Sequence, residues 1–313
     1  PQSMSDLPKI AAQWGANGPV RLIAERENAV YKILRDGTPM ALRLHRAGYQ
    51  SEAAILSELR WMQRLEEAGF ACPKPLAQTD GSLLARLADG RFVSVITWVE
   101  GTPIGEMDSA GDTDVTSHCD LYHQLGRLLA QLHNTSDSIK TDDLTRAAWD
   151  LPGLLGKSPF WGRFWDNPSL SAGEKKFIVY TQQTAHAHLK AMKGADFGLI
   201  HADALQENVF HTKIGLTLID FDDAGFGYRG YDLGVCLSQH YAARHLNDLI
   251  AAVAEGYGAL RNAPSADEIK FFLMLRGLAS CGWVIARQPK KSPVQRRYAE
   301  RALHLAHQWL TTA

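Results

Sequence analysis

Residues 199–210, LIHADALQENVF, and residues 218–234, LIDFDDAGFGYRGYDLG, decide how this chain is read. Each opens on an apolar, strand-like run and closes on oxygen-bearing side chains. His201-Ala202-Asp203 follows Leu199-Ile200, and Asn208 stands five residues after Asp203. Leu216, Leu218 and Ile219 lead into Asp220-Phe221-Asp222. Carboxylates and an amide at strand ends are hard oxygen donors, the kind magnesium takes one or two at a time. A phosphoryl group in transfer carries its charge on oxygens, so the reaction asks for metal ions and positioning more than for a covalent partner. On that reading Asn208 and Asp220 are metal ligands. Asp203 orients and deprotonates an acceptor hydroxyl, and His201 braces the loop.

The spacing is that of the protein-kinase catalytic loop, H-R-D-x-x-x-x-N, followed by an aspartate at a strand end. Together the two stretches resemble the aminoglycoside phosphotransferase superfamily, which includes choline kinases, homoserine kinases of the second type and stress-response kinases. That family carries H-G-D-x-x-x-x-N and then I-D-x-x-x-x-x-x-G-x-x-x-x-D-L. Here Ala202 replaces the usual glycine, and Phe221-Asp222-Asp223 replaces the commoner Trp-Glu or Trp-Asp. Asp232 matches a family aspartate of mainly structural role at a helix start. The resemblance implies an α+β, bilobal, protein-kinase-like fold. An N-terminal antiparallel sheet lobe with one helix would precede a larger, mainly α-helical C-terminal lobe. It also implies ATP and magnesium as cofactors and an alcohol group as acceptor.

The first hundred residues fit that plan. Ala29 to Arg35 and Thr38 to His45 are strand-like and flank Asp36-Gly37, a pair suited to a turn with positive φ at both positions. Leu83 to Ala88 and Arg91 to Val99 flank Asp89-Gly90 in the same way. Between the hairpins, Ile55, Leu59, Met62 and Leu65 recur at helical spacing, with Ser51 as N-cap and Gly69 as stop. Residues 1–100 are therefore expected as a nucleotide-binding lobe with a hinge at 97–101, and residues 101–313 as the lobe with the catalytic loop, metal site and acceptor pocket. Residues 101–117, polar and glycine-rich, read as the connector.

Met40-Ala41-Leu42-Arg43 stands where kinases have V-A-I-K. Ala41 and Arg43 share one face of that strand, a small residue beside a cation, as adenine and phosphate would ask. Arg43 takes the place of the usual lysine, and Glu58 is its expected partner, with Glu52 the alternative. An ordinary surface ion pair is the competing explanation. Trp98-Val99-Glu100 resembles the hinge whose backbone pairs with adenine, and Asn28 is a candidate phosphate contact.

The charges nearly cancel, 33 Lys+Arg against 34 Asp+Glu, so nothing global calls for nucleic acid or an anionic membrane as partner. Cys72, Cys119, Cys236 and Cys281 lack metal-type spacing and are expected as reduced thiols. The opening residues lack a basic region followed by an apolar run, so no signal peptide is expected. The stretch from Phe271 to Ile285 is interrupted by Arg276, Gly277 and Gly282, so no membrane span is expected and the cytoplasm is the expected compartment.

The acceptor is less legible. Residues 261–313 hold nine Lys+Arg against three Asp+Glu, which disfavours a polycationic aminoglycoside and suits a carboxylate or phosphate, as on a hydroxy amino acid such as homoserine. Arg276 and Arg287, eleven residues apart, are candidates on one helix face, against the alternative of solvated surface charges. Trp149, Phe160, Trp161, Phe164 and Trp165 cluster in an insert that reads as core, as a lid, or as a cage for a quaternary ammonium. Trp161, Trp165, Trp283 and Asp222 complete the acceptor candidates. Glu27-Asn28-x-Val30-Tyr31 and the Trp-rich insert also resemble stress-response kinases acting on protein Ser/Thr. Two other classes stay open: a nucleotide-binding pseudokinase, admitted by Arg43 and Ala202, and a metallohydrolase using His201, Asp203 and His211.

Overall fold

The computed structural model describes residues 2–25, 27–108 and 114–312. Residues 109–113 of the expected connector lie outside the described residues. In chain order the first elements are α1 (Gln2–Ala11), β1 (Arg21–Glu25), β2 (Ala29–Arg35), β3 (Thr38–Leu44), α2 (Glu52–Glu67), β4 (Leu84–Arg86) and β5 (Phe92–Thr97). There follow β6 (Thr102–Pro103), α3 (Ile104–Asp108), α4 (Val115–Ser138), β7 (Ala148–Trp149), α5 (Leu151–Leu155) and α6 (Ala172–Ala191). The last are β8 (Phe197–Ile200), β9 (Val209–Thr212), β10 (Gly215–Leu218), β11 (Gly225–Tyr228), α7 (Arg229–Leu237), α8 (Leu246–Gly258), α9 (Ala266–Trp283) and α10 (Pro293–Thr312). The chain forms two units. One comprises Pro1–Thr102, Ser138–Arg146 and His211–Asp222; the other comprises Pro103–Asp137, Ala147–Phe210 and Asp223–Ala313.

In the first unit, β1 to β5 build one antiparallel sheet in the order β1-β2-β3-β5-β4. The β2–β3 turn has φ of 49° at Asp36 and 79° at Gly37, the double left-handed geometry that Asp-Gly favours. The β4–β5 connection differs from expectation. Gly90 N–H donates to Leu87 O, so Ala88 and Asp89 form the turn, and only Gly90, at φ 88°, takes the left-handed position after it. That is the three-residue loop with a glycine bulge rather than a two-residue Asp-Gly turn.

Met40, Leu42 and Leu44 of β3 pack with Leu7, Trp14, Ile33, Val93 and Val95. Leu7 and Ala11 belong to α1, a helix the sequence reading missed because Pro8 breaks the helical pattern. The opposite face of β3 turns Ala41 and Arg43 toward α2. That helix starts as expected: Ser51 caps it by accepting from Ala54 N–H at 3.2 Å. The two later segments also reach α2. Thr145 N–H donates to Ser57 Oγ at 2.8 Å, Arg146 donates to Ala54 O at 2.9 Å, and Phe221 meets Trp61 edge-on at 5.3 Å.

The second unit is mainly helical around a small sheet, β7-β11-β8. β11 pairs parallel with β7 and antiparallel with β8. Both β7 and β11 escaped the sequence reading. A Cβ on Gly225 would lie 2.2 Å from Ala147 O, and one on Gly227 2.8 Å from Trp149 Cβ, so the glycines of Gly-Phe-Gly-Tyr admit close backbone approach. Helices α4 and α8 cross through glycines. A Cβ on Gly126 would meet Val253 O at 2.2 Å, and one on Gly256 would meet His123 O at 1.9 Å. The unit's central helix is α9, buried at Ile269 and from Phe271 to Gly282. Contrary to expectation, Ala266–Ala286 is long and apolar enough to cross a membrane by length and composition, yet 78% of its apolar window is buried inside the protein. The aromatic insert is core rather than lid: Trp149 and Phe164 are fully buried, and Asn167 ties it to Cys281 O at 2.9 Å. All four cysteines are free.

Candidate active site

The loop after β8 is held by buried groups of the second unit. Asp232, in the first turn of α7, is wholly buried and accepts from His201 N–H at 2.9 Å and Ala202 N–H at 2.7 Å. His133 of α4 lies 2.9 Å from Asp232, and its other ring nitrogen lies 2.8 Å from Tyr257 OH. Burial alone would raise the Asp232 pKa, but His133 and the loop amides hold it below the ordinary carboxylate value. Ala202 sits at φ 63°, the left-handed region where glycine rests without strain. That conformation turns the chain so that Asp203 leaves the loop half-buried.

Asp203 is tightly positioned. Asn208 Nδ2 donates to Asp203 Oδ2 at 2.8 Å and to its carbonyl at 2.9 Å, which leaves the Asn208 amide oxygen as the side chain's remaining acceptor. His201 Nδ1 accepts from Asp203 N–H at 3.2 Å, a brace inside the loop. Arg276 of α9 donates to Asp203 Oδ1 at 2.7 Å and to Ala202 O at 2.8 Å. The expected acceptor ligand is thus a buried clamp on the loop. Arg287 does not share its helix face. It lies beyond the end of α9, donates to Trp283 O at 3.0 Å, and stands over the Trp283 ring at 4.5 Å.

The tryptophans are also engaged. Arg276 covers Trp161 at 4.5 Å and Arg163 covers Trp165 at 5.2 Å. With Arg287 on Trp283, the ring faces that a quaternary ammonium would use already carry guanidinium groups. His211, the third member of the metallohydrolase set, lies exposed on β9, and the described residues hold no cluster of three or more His, Cys, Asp or Glu able to bind a metal.

In the first unit Arg43 is 4% exposed and Glu58 fully buried, and they meet at 2.6 Å. Glu58 is therefore the partner, and the surface-pair alternative falls. Burial opposes charge on both, yet each holds the other ionised, with Arg43 raised and Glu58 lowered in pKa. Arg43 Nη2 has no hydrogen-bond partner and lies 3.9 Å from Asp222 Oδ1. Both Asp222 oxygens are buried without hydrogen-bond partners, and burial, with Glu58 and Asp220 nearby, pushes the carboxyl up to about 7. Arg146 and Gln50 hold the segment by donating to Asp222 O. Asp220 is exposed at φ 59°, a second left-handed non-glycine residue.

Ala41 is buried beside Arg43. Trp98 carries Lys32 over its ring at 4.5 Å, and Trp98, Val99 and Glu100 continue beyond the end of the β3–β5 ladder. Asn28 Oδ1 accepts from Arg46 N–H at 3.0 Å, which pins the start of β2 to the chain after β3. The residues that sequence reasoning missed are Arg146, which no motif marks, and the His133–Tyr257 relay behind Asp232.

Comparison with known proteins agrees with this architecture. The profile of the phosphotransferase enzyme family matches residues 19–269. Amicoumacin kinase of Bacillus subtilis (strain 168) is 25% identical over 235 residues, which cover 74% of this chain and 66% of that protein. A homoserine kinase of Sinorhizobium fredii is 30% identical over 226 residues, covering 70% of this chain and 63% of that protein. The chain thus matches about two thirds of the length of these curated relatives. The structure of a microcompartment-associated aminopropanol kinase superposes with a TM-score of 0.85 at 27% identity, covering 99% of this chain and 98% of that one. Solved aminoglycoside phosphotransferases share the protein-kinase-like fold. This chain belongs to the phosphotransferase enzyme family.

Proposed function

We propose that this protein is an ATP- and magnesium-dependent kinase that phosphorylates a hydroxyl group of a small molecule. The observation that carries the reading is the clamped Asp203: its carboxylate is fixed by Asn208 and Arg276, on a loop whose amides a buried Asp232 holds. Such a carboxylate is set to orient an acceptor hydroxyl and take its proton. The first unit supports the nucleotide side. Arg43 Nη2 and both oxygens of Asp222 are buried without hydrogen-bond partners, with only a 3.9 Å ion pair between them, and a bound ligand or ion is one way such groups are satisfied. Arg43 suits a phosphate oxygen, with Glu58 fixing its direction. In the first unit Asp220 and Asp222 are hard donors of the kind that holds a magnesium ion, which when bound would neutralise charge on the phosphates, and in the second unit the Asn208 amide oxygen is a donor of the same kind. Asp222 thereby moves from the acceptor candidates to the metal side. Ala41, Trp98, Val99 and Glu100 would receive the adenine.

This reading places the protein in the cytoplasm, where ATP is plentiful, and keeps amino alcohols, hydroxy amino acids and aminoglycosides as acceptor classes. Measuring ATP consumption across homoserine, aminopropanols, choline, aminoglycosides and a generic protein substrate tests it. Turnover that requires magnesium and is lost in both Asp203→Ala and Asp220→Ala supports the assignment; undiminished turnover in either variant overturns it. Magnesium-dependent ATP binding without transfer to any acceptor would favour the pseudokinase.

A further inference from the structure

The second unit holds a cation that its own carboxylates leave unanswered. Arg301 of α10 is half-buried, and the rings of Tyr241 and Tyr298 each lie 5.2 Å from its guanidinium carbon. Among the described residues it forms no ion pair, and its buried Nε has no hydrogen-bond partner. The neighbouring Glu300 is taken by Arg296 at 2.9 Å. Burial, with repulsion from Arg276, holds the Arg301 pKa below the ordinary guanidinium value. Packing of α9 on α10 brings it near Arg276: a Cβ on Gly277 would lie 3.7 Å from Ala302 Cα, and Arg276, the residue before Gly277, grips Asp203 at 2.7 Å. A desolvated cation that lacks a counter-charge costs free energy unless something pairs with it.

We propose that Arg301, flanked by Tyr241 and Tyr298 beside the Arg276–Asp203 pair, binds a carboxylate on the acceptor, so that the acceptor is a small hydroxy acid. This deepens the kinase reading and rests on it. The N–H donors of a guanidinium lie in its plane and match the two oxygens of a carboxylate. The same geometry disfavours the other acceptor classes. An aminoglycoside or choline would bring further positive charge to Arg276 and Arg301, where like charges repel. An amino alcohol would leave Arg301 unpaired. Sequence composition pointed to an anionic acceptor but named Arg276 and Arg287, because Arg301 gains its position only from packing against Tyr241, sixty residues earlier in the chain.

Matched acceptors that differ by one carboxylate test the proposal. L-homoserine and 3-amino-1-propanol form one pair, L-threonine and 1-amino-2-propanol the other. In a coupled ATP-consumption assay the wild type should prefer the carboxylate member of a pair by about 100-fold or more in kcat/KM, the scale of a lost charged hydrogen bond. Arg301→Gln should shrink that ratio to below about tenfold through KM, with circular dichroism and ATP binding unchanged. Arg301→Lys, which keeps the charge, should restore part of it. A wild type that prefers the amino alcohol, or an Arg301→Gln variant that keeps the carboxylate preference, overturns this proposal and leaves the kinase reading intact. Absence of magnesium-dependent transfer to every acceptor of the wider screen removes the kinase reading, and this proposal with it.

Discussion

At the residue scale, the site depends on backbone that an L-residue adopts unwillingly. Ala202 at φ 63° departs from the family's glycine, and a left-handed non-glycine residue costs roughly 1–2 kcal/mol. Ala202→Gly should therefore raise stability by up to about 1 kcal/mol, the relief being partly offset by the freer unfolded chain. A denaturant midpoint at or below the wild-type value would show that the loop does not carry this strain. Arg276→Lys keeps a positive charge but gives up the fork that spans Asp203 and Ala202 O. The expected result is a fall of about tenfold in kcat with little change in the ATP KM, read by steady-state kinetics. Asp203, Asn208 and Asp220 could be named together because their spacing along one short stretch is itself the signal. Arg276 was named as an acceptor ligand and emerges instead as a clamp on Asp203, while Arg301 was not named, because what each touches depends on which loop or ring α9 and α10 pack against. Asn28 carries a role the sequence did not show, its Oδ1 accepting from the backbone N–H of Arg46.

At the element scale, the amphipathic α2 and the β2–β3 hairpin followed directly from periodicity and turn chemistry. Elements whose reason lies in tertiary contact stayed hidden. β11 is built on glycines that look like loop residues until Ala147 and Trp149 are seen against them. The crossing of α4 and α8 obeys the same rule. A methyl group at position 256 would stand 1.9 Å from His123 O, so the helices must move apart to admit it. Gly256→Ala should destabilise by about 1–3 kcal/mol, the cost of overpacking a tight core. Because α4 also carries His133, which touches Asp232, the variant should lose activity along with thermal stability. An unchanged melting temperature would mean that the crossing has slack.

At the scale of the whole molecule, acid should act through His45. Burial and the nearby Arg43 push its pKa down to about 3, with Arg146 adding to this and Glu58 opposing it. The unfolded chain binds a proton at His45 near the ordinary value while the folded chain refuses it. Stability contributed by the neutral ring is thus complete above pH 7 and lost as pH falls from about 6.5 toward 3. At pH 5 the loss from this one group is roughly 2 kcal/mol. Denaturation at pH 7 and pH 5 checks it: His45→Gln, which can still bond to Ser94, should lessen the difference, and an identical pH dependence in variant and wild type would exclude His45 as its source. The discontinuity of the first unit has a consequence during synthesis. Its sheet emerges from the ribosome first, yet the segments that reach α2, through Thr145, Arg146 and Phe221, come much later. At ordinary elongation speeds roughly ten seconds separate the translation of Thr102 from that of Asp222. For that interval the nascent domain carries an unfinished face.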